Sequence, residues 1–293
     1  MQHVITCLVC DGRSFVERYP ATFEGGWRDA VPYFLTRRTK AVHGRVVRCR
    51  DCGFIFTSPQ FTPEEYARIY AAVHADGNEE SPPGARFAAL AQHVRQAEAA
   101  GRFLDFGCGS GAFLDAMPGY DGVGFEVQAG VPGGASRRGR FVTGDILADA
   151  IEQAGLAPRS FDFIVAWDVL EHLAVATLQM ERLHTLLKPG GRLYLTVPNS
   201  ASLVARLSGE KWNMLLLEHL WYFDPTTLRR FLGRCGFAID TIRTIGYPVE
   251  LATVFLRARQ TYGAWVPPAP AFLAKFNVKL PIGLMFVRAT RPA

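Results

Sequence analysis

The chain has 293 residues, 49% of them hydrophobic and 20% charged, with a formal net charge of +5. That balance excludes a disordered chain, and the length suits one α/β domain with a smaller module beside it. No apolar run approaches the roughly 20 residues of a transmembrane helix, and MQHVITCLVCDGR lacks the basic start, apolar core and cleavage site of a secretory signal. A cytoplasmic location without a membrane span is expected. The basic residues are scattered (Arg37 and Arg38, Arg137 and Arg138, Arg229 and Arg230) and form no track, which argues against a nucleic-acid partner.

In chain order, the first features are Cys7-Leu8-Val9-Cys10 and Cys49-Arg50-Asp51-Cys52-Gly53. Their two-residue spacing lets paired thiolates grip a tetrahedral Zn²⁺, and four cysteines close its shell, so the metal is expected to be structural. Disulfides belong to oxidising compartments and are not expected here. The 38 residues from Asp11 to Arg48 exceed what a compact zinc ribbon needs and predict an inserted hairpin or helix. Thr62-Pro63-Glu64-Glu65 opens a helix, and the Gly/Pro/acidic stretch from Asp76 to Gly84 reads as a joint. The expected division is a zinc-binding module over 1–61, a helix and linker over 62–84, and a larger domain over 85–293.

From Arg86 onward, short apolar runs alternate with helical stretches, the pattern of βα units feeding a parallel sheet. Strands are predicted at 102–106, 122–126, 140–144, 161–167, 191–197, 238–245 and 282–289, giving a seven-stranded Rossmann-like sheet with helices on both faces. VQAGVPGGASRRG, after the second of these, carries Pro132 and glycine breaks and predicts a loop or a stub of helix. The aromatic and proline-rich stretch from Gly246 to Pro281 is expected either to cap a substrate pocket or to pack on the sheet.

The sharpest motif is Leu104-Asp105-Phe106-Gly107-Cys108-Gly109-Ser110-Gly111. A strand ends at an acid, and three alternate glycines let the backbone turn tightly and approach a ligand before a helix begins. Glu126, at the end of the second strand, is placed to accept hydrogen bonds from both hydroxyls of an adenosine ribose. Asp145 can accept from an adenine amino group while Ile146 covers the ring; acceptors are needed because those ligand groups donate. Cys108, between two glycines, is read as filling space.

LDFGCGSGAFL, GVGFE, GDI, FDFIVAWDVLEHL and LLKPGGRLYLTVPN, in that order and spacing, resemble the successive motifs of the Rossmann-like S-adenosylmethionine-dependent methyltransferases. The resemblance runs from about Arg102 to Ala289. It implies that Gly107, Gly109 and Gly111 shape the pocket for the methionine part of the cofactor and that Asp105 orients that loop beside Phe106. It further implies that Glu126 binds ribose, that Asp145 with Ile146 holds adenine, and that Trp167 and Asp168 face the cofactor. The cysteine-bearing head, through RCRDCGFIFTSPQFTPEEYARIY, resembles a zinc-binding domain that precedes the same core in sugar-modifying and other small-molecule enzymes, with Cys7, Cys10, Cys49 and Cys52 as the ligands.

Methyl transfer from a sulfonium is an in-line displacement governed by alignment, and an acceptor hydroxyl also needs a base. The candidates are His172, just past the fourth predicted strand, and His219, in Glu218-His219-Leu220-Trp221-Tyr222-Phe223-Asp224-Pro225, reaching in from the other side. Glu171 reads as a helix cap and Asp224 as an N-cap before Pro225. Trp212, Trp221 and Tyr222 suit either a core or the wall of a pocket for a ring-bearing acceptor. The expected function is transfer of a methyl group to a small-molecule hydroxyl on a sugar, phenolic or other secondary metabolite. The alternatives are an RNA methyltransferase with a zinc-binding head and a noncatalytic scaffold that retains the cofactor.

Overall fold

The computed structural model describes all residues except 35–41, 76–83, 128–138, 149–151, 153 and 281–282. Among the described residues the strands are β1 (Phe15–Tyr19), β2 (Val46–Cys49), β3 (Ile55–Thr57), β4 (Arg102–Phe106), β5 (Asp121–Glu126), β6 (Arg140–Thr143), β7 (Phe161–Trp167), β8 (Leu187–Pro198), β9 (Trp221–Tyr222), β10 (Ala238–Thr244), β11 (Tyr247–Glu250), β12 (Asn277–Leu280) and β13 (Leu284–Thr290). The helices are α1 (Trp27–Ala30), α2 (Pro63–Ala75), α3 (Gly84–Arg95), α4 (Ala112–Asp115), α5 (Ala176–Leu186), α6 (Leu203–Ser208), α7 (Pro225–Arg234) and α8 (Leu251–Tyr262).

The main sheet has seven strands in the order β10-β13-β8-β7-β4-β5-β6. Strands β8, β7, β4, β5 and β6 pair in parallel, and β13 runs antiparallel to both of its neighbours. The alternation of buried side chains explains why helices cover both faces. Along β4 and β7, Leu104, Ile164 and Ala166 belong to one apolar cluster, with Met180 and Leu183 of α5 and Leu228 and Phe231 of α7. Phe103, Phe163, Val165 and Trp167 point the other way, into a second cluster with Leu90 and Val94 of α3 and Phe113 of α4. The switch point of this sheet, between β4 and β7, is where a doubly wound fold offers a ligand crevice.

The cysteine-bearing head forms a second, four-stranded antiparallel sheet in the order β1-β2-β3-β9. Its fourth strand comes from far along the chain, through Ile55 opposite Tyr222 and Phe56 opposite Trp221. The expected insertion between the cysteine pairs is present as β1, α1 and the start of β2. Helix α2 starts as predicted, on a reciprocal cap in which the Thr62 N–H donates to Glu65 (2.8 Å) and the Glu65 N–H to the Thr62 hydroxyl (3.2 Å). Helix α7 starts on Asp224, which accepts from the N–H groups of Thr226 and Thr227 at 2.8 Å each.

Two of the seven predicted strands keep their boundaries, at 102–106 and 161–167, while β8 begins at Leu187, four residues before the expected Gly191. The extension arises because Leu187 still pairs with Phe161 across an irregular register. The segment between β10 and β13 folds as the antiparallel pair β11 and β12 around α8. The loop or helix stub predicted after β5 lies outside the described residues, as does nearly all of the joint over 76–84. No described helix is long and apolar enough to cross a membrane.

Candidate active site

The glycine loop leaves the carboxyl end of β4 and is tied to β5 by the Gly107 and Cys108 N–H groups, which donate to the Phe125 carbonyl at 2.9 and 3.1 Å. Gly107, Gly109 and Gly111 have φ of 76°, 48° and 78°, a region other residues enter only with strain. At Gly107 a side chain would also collide with Val169, whose Cγ2 would lie 2.6 Å from the added carbon. The turn after β7 therefore rests directly on the glycine loop. Cys108 packs against β5, its sulfur 2.8 Å from where a Cβ on Gly124 would sit.

The carboxylate of Glu126 accepts from the Gly109 N–H at 3.0 Å and from the Val127 N–H at 2.9 Å, which holds it beside the loop. Asp145 accepts from the Leu147 N–H at 2.9 Å, and Ile146 is buried next to it. Asp105 is 1% exposed, and one of its oxygens, Oδ2, has no hydrogen-bond partner. Burial, and secondarily the charge of Glu126, push its carboxyl up to about 8. A loop of three glycines with no side chains to hold a ligand off, an acid held at the end of β5 and a buried carboxyl oxygen without a partner suit a ligand with an amino acid end and a ribose, as S-adenosylmethionine has. Phe106 is buried and stacks on Phe125 beneath the loop, at 5.5 Å between ring centroids. The ring of Trp167 lies in the aromatic layer with Phe113 and Phe286, at 5.1 and 6.1 Å.

Asp168 ends β7 with φ of 55°. It accepts from the Thr196 hydroxyl at 2.7 Å and forms an ion pair with Arg86 of α3. Nothing in the sequence around Arg86 marks it, because α3 reaches this edge of the sheet only through the tertiary fold.

His172 follows Asp168 in a single 3₁₀ turn over Leu170–His172. His219 arrives from the connection before β9, and the two rings meet edge to face with centroids 4.7 Å apart. The structure thus brings together the two histidines that the sequence offered as separate candidates. Burial pushes His172 down to about 4, so its ring is neutral at physiological pH. Glu171, expected to cap a helix, instead turns inward: it is 1% exposed and neither carboxylate oxygen has a hydrogen-bond partner. Burial, then the neighbouring Asp168, hold its carboxyl well above the usual range. Trp212, Trp221 and Tyr222 are all buried. Trp221 donates to the Leu173 carbonyl at 2.7 Å and stacks on Phe54 at 6.2 Å, which places it in the seam between the two sheets.

At the other end of the head, Cys7, Cys10, Cys49 and Cys52 bring their sulfurs within 4.8 Å of one another. The Cys7–Cys52 and Cys10–Cys49 separations are 3.5 and 3.7 Å. A tetrahedron of thiolates at the usual Zn–S distance has edges of about 3.8 Å, which these two pairs already match. None of the four is in a disulfide. His43, also in the head, places Nδ1 2.8 Å from the Gly44 carbonyl.

The seven-stranded sheet with its one reversed strand, and the glycine loop at its switch point, define a Rossmann-like α/β methyltransferase. Residues 81–242, more than half of the chain, match the family described as "Methyltransferase domain", and the chain belongs to that family. It is an S-adenosylmethionine-dependent methyltransferase of class I. Among curated proteins it is 27% identical to the ubiquinone biosynthesis O-methyltransferase of Azotobacter vinelandii over 170 residues, spanning 54% of this chain and 72% of that protein. The protein of the same name from Aeromonas salmonicida is 24% identical over 159 residues, spanning 50% of this chain and 66% of that one. Among solved structures, the complex between the Haloferax volcanii Trm112 methyltransferase activator and a methyltransferase matches with a TM-score of 0.50 and 16% identity, over 73% of this chain and 100% of that one. This last likeness shows the fold.

Proposed function

We propose that this enzyme methylates a hydroxyl group of a small molecule, a sugar, phenolic or other secondary metabolite, and that His172 and His219 together activate that hydroxyl. The observation that carries the proposal is the meeting of the two histidines at 4.7 Å on the turn that rests on the glycine loop. When bound, S-adenosylmethionine supplies a methyl group on a sulfonium, an electrophile that needs only an aligned and activated oxygen. Asp105, Phe106, Gly107, Gly109, Gly111, Glu126, Asp145, Ile146, Trp167 and Asp168 would hold the cofactor or support the residues that touch it. The resemblance to two proteins named as O-methyltransferases of ubiquinone biosynthesis favours a hydroxyl acceptor.

The four cysteines would hold a structural zinc, with no position left for substrate. The head would then serve as scaffold and as one wall of the site, through β3 and β9. The test is single-turnover methyl transfer to an identified acceptor. His172→Ala should slow it by about 10²–10⁴ with cofactor affinity retained. An unchanged rate would remove the histidine pair from the chemistry.

A further inference from the structure

The group around Glu171 presents more than two histidines and an acid that happen to be close. His219 holds Nδ1 2.8 Å from the Met214 carbonyl. A carbonyl can only accept, so Nδ1 carries the proton and Nε2 is left as the lone-pair nitrogen. His172 bonds through its ring to the backbone of Glu218, while its buried Nδ1 has no partner, so the free lone pair is on Nδ1. Glu171 contributes two buried oxygens without partners. One ligand atom from each of the three residues lies within 4.8 Å of the others.

The buried oxygens of Glu171 and the buried Nδ1 of His172 are acceptors with no donor, an arrangement that costs free energy unless something positive faces them. Asp168 and Glu218 add negative charge from two sides, and Arg86, the cation facing the group, is paired with Asp168. We propose that Glu171, His172 and His219 form a second metal centre, a two-histidine, one-carboxylate site for a divalent transition ion. Two imidazoles with one carboxylate favour the zinc, manganese, iron and cobalt class over magnesium or calcium. Ligand atoms at bonding distance from such an ion stand about 3–3.5 Å apart, so rotations that move each side chain by roughly 1 Å would close the site. Glu171 and His219 are buried and His172 is half-buried, so the open coordination positions lie on the His172 side.

The role of the ion, though not its binding, rests on the function proposed above. An acceptor hydroxyl on an open position would lose its proton to solvent more readily. Its oxygen would then form the bond to the methyl carbon as the carbon–sulfur bond breaks, the electron pair going to sulfur.

The experiment is a Mn²⁺ titration of the full-length chain, followed by the loss of the free-ion electron paramagnetic resonance signal, since a four-thiolate site disfavours this ion. The wild type should take up about one equivalent. Glu171→Gln and His219→Gln, near in size to the native residues, should each weaken uptake at least about tenfold, while a Cys7→Ser/Cys10→Ser chain should keep it. A Co²⁺ titration of the Cys7→Ser/Cys10→Ser chain, followed by the visible absorption of the bound ion, covers the case in which the site rejects manganese. If a wild-type chain with native circular dichroism takes up no Mn²⁺ and a natively folded Cys7→Ser/Cys10→Ser chain takes up no Co²⁺, or if the two variants bind as the wild type does, the proposal is overturned. Methyl transfer that proceeds with no ion bound would overturn the role given to the ion and leave the proposed function standing. Ion uptake without transfer to any hydroxyl acceptor would overturn the proposed function alone.

Discussion

Asp105 sets its proposed part in holding the cofactor against the stability of the fold. Its carboxyl is fully buried and pushed up to about 8, so between roughly pH 4 and pH 8 it ionises in the unfolded chain but stays protonated in the fold. The unfolded state therefore binds fewer protons, and stability falls as pH rises through that window. Asp105→Asn removes the ionisation and should stabilise the protein at pH 7 by about 1–3 kcal/mol, with the gain vanishing toward pH 4. Denaturant melts at the two pH values check this; an equal effect at both would show that the carboxyl is not held neutral. The same substitution should weaken S-adenosylmethionine, because the orphaned oxygen beneath the glycine loop is lost. The placement of Asp105, Glu126 and the three glycines around one loop was legible in the sequence because strand, acid and loop are local in the chain. Arg86 and the inward turn of Glu171 were not, since each depends on contacts dozens of residues away.

Among the elements, β9 is one that the sequence could not supply. Two residues, Trp221 and Tyr222, count as a strand only because β3 presents an edge to them, and their aromatic character suited core and pocket equally well. The strands of the main sheet, by contrast, were read closely, because buried parallel strands are short apolar runs bounded by turns. The four-stranded sheet also hangs on the cysteine cluster, since Cys49 ends β2 and Cys52 leads into β3. Cys7→Ser/Cys10→Ser is accordingly expected to lose one zinc per chain and to loosen β1, β2 and β3. Metal analysis of protein purified without chelator, with hydrogen exchange on those strands, measures both. Unchanged protection in a zinc-free variant would mean that the head holds itself together without metal.

At the scale of the whole molecule, apolar packing runs across the proposed division at 1–61, 62–84 and 85–293. One apolar cluster runs from Cys7, Val9, Phe54 and Phe56 of the head through Trp221 and Phe223 to Leu104 and Ile164 of the main sheet. Phe54 lies 4.9 Å from Phe223 and 6.2 Å from Trp221. Removing residues 1–61 would uncover both rings, each worth about 1.5–3 kcal/mol of burial, and strand β9 would lose its only partner among the described strands. That truncated chain should be insoluble or lack a cooperative melt; a soluble truncation with a sharp transition would make the head an independent appendage.

The function itself turns on where a labelled methyl group goes. Incubating the full-length enzyme with S-adenosylmethionine carrying a labelled methyl, in an extract of small metabolites and total RNA, and following the label by mass spectrometry, addresses this directly. Label is expected on the oxygen of a single low-mass compound, with the rate lowered about 10²–10⁴-fold in His172→Ala. Label recovered in RNA, or cofactor bound with no label transferred to any component, would contradict it.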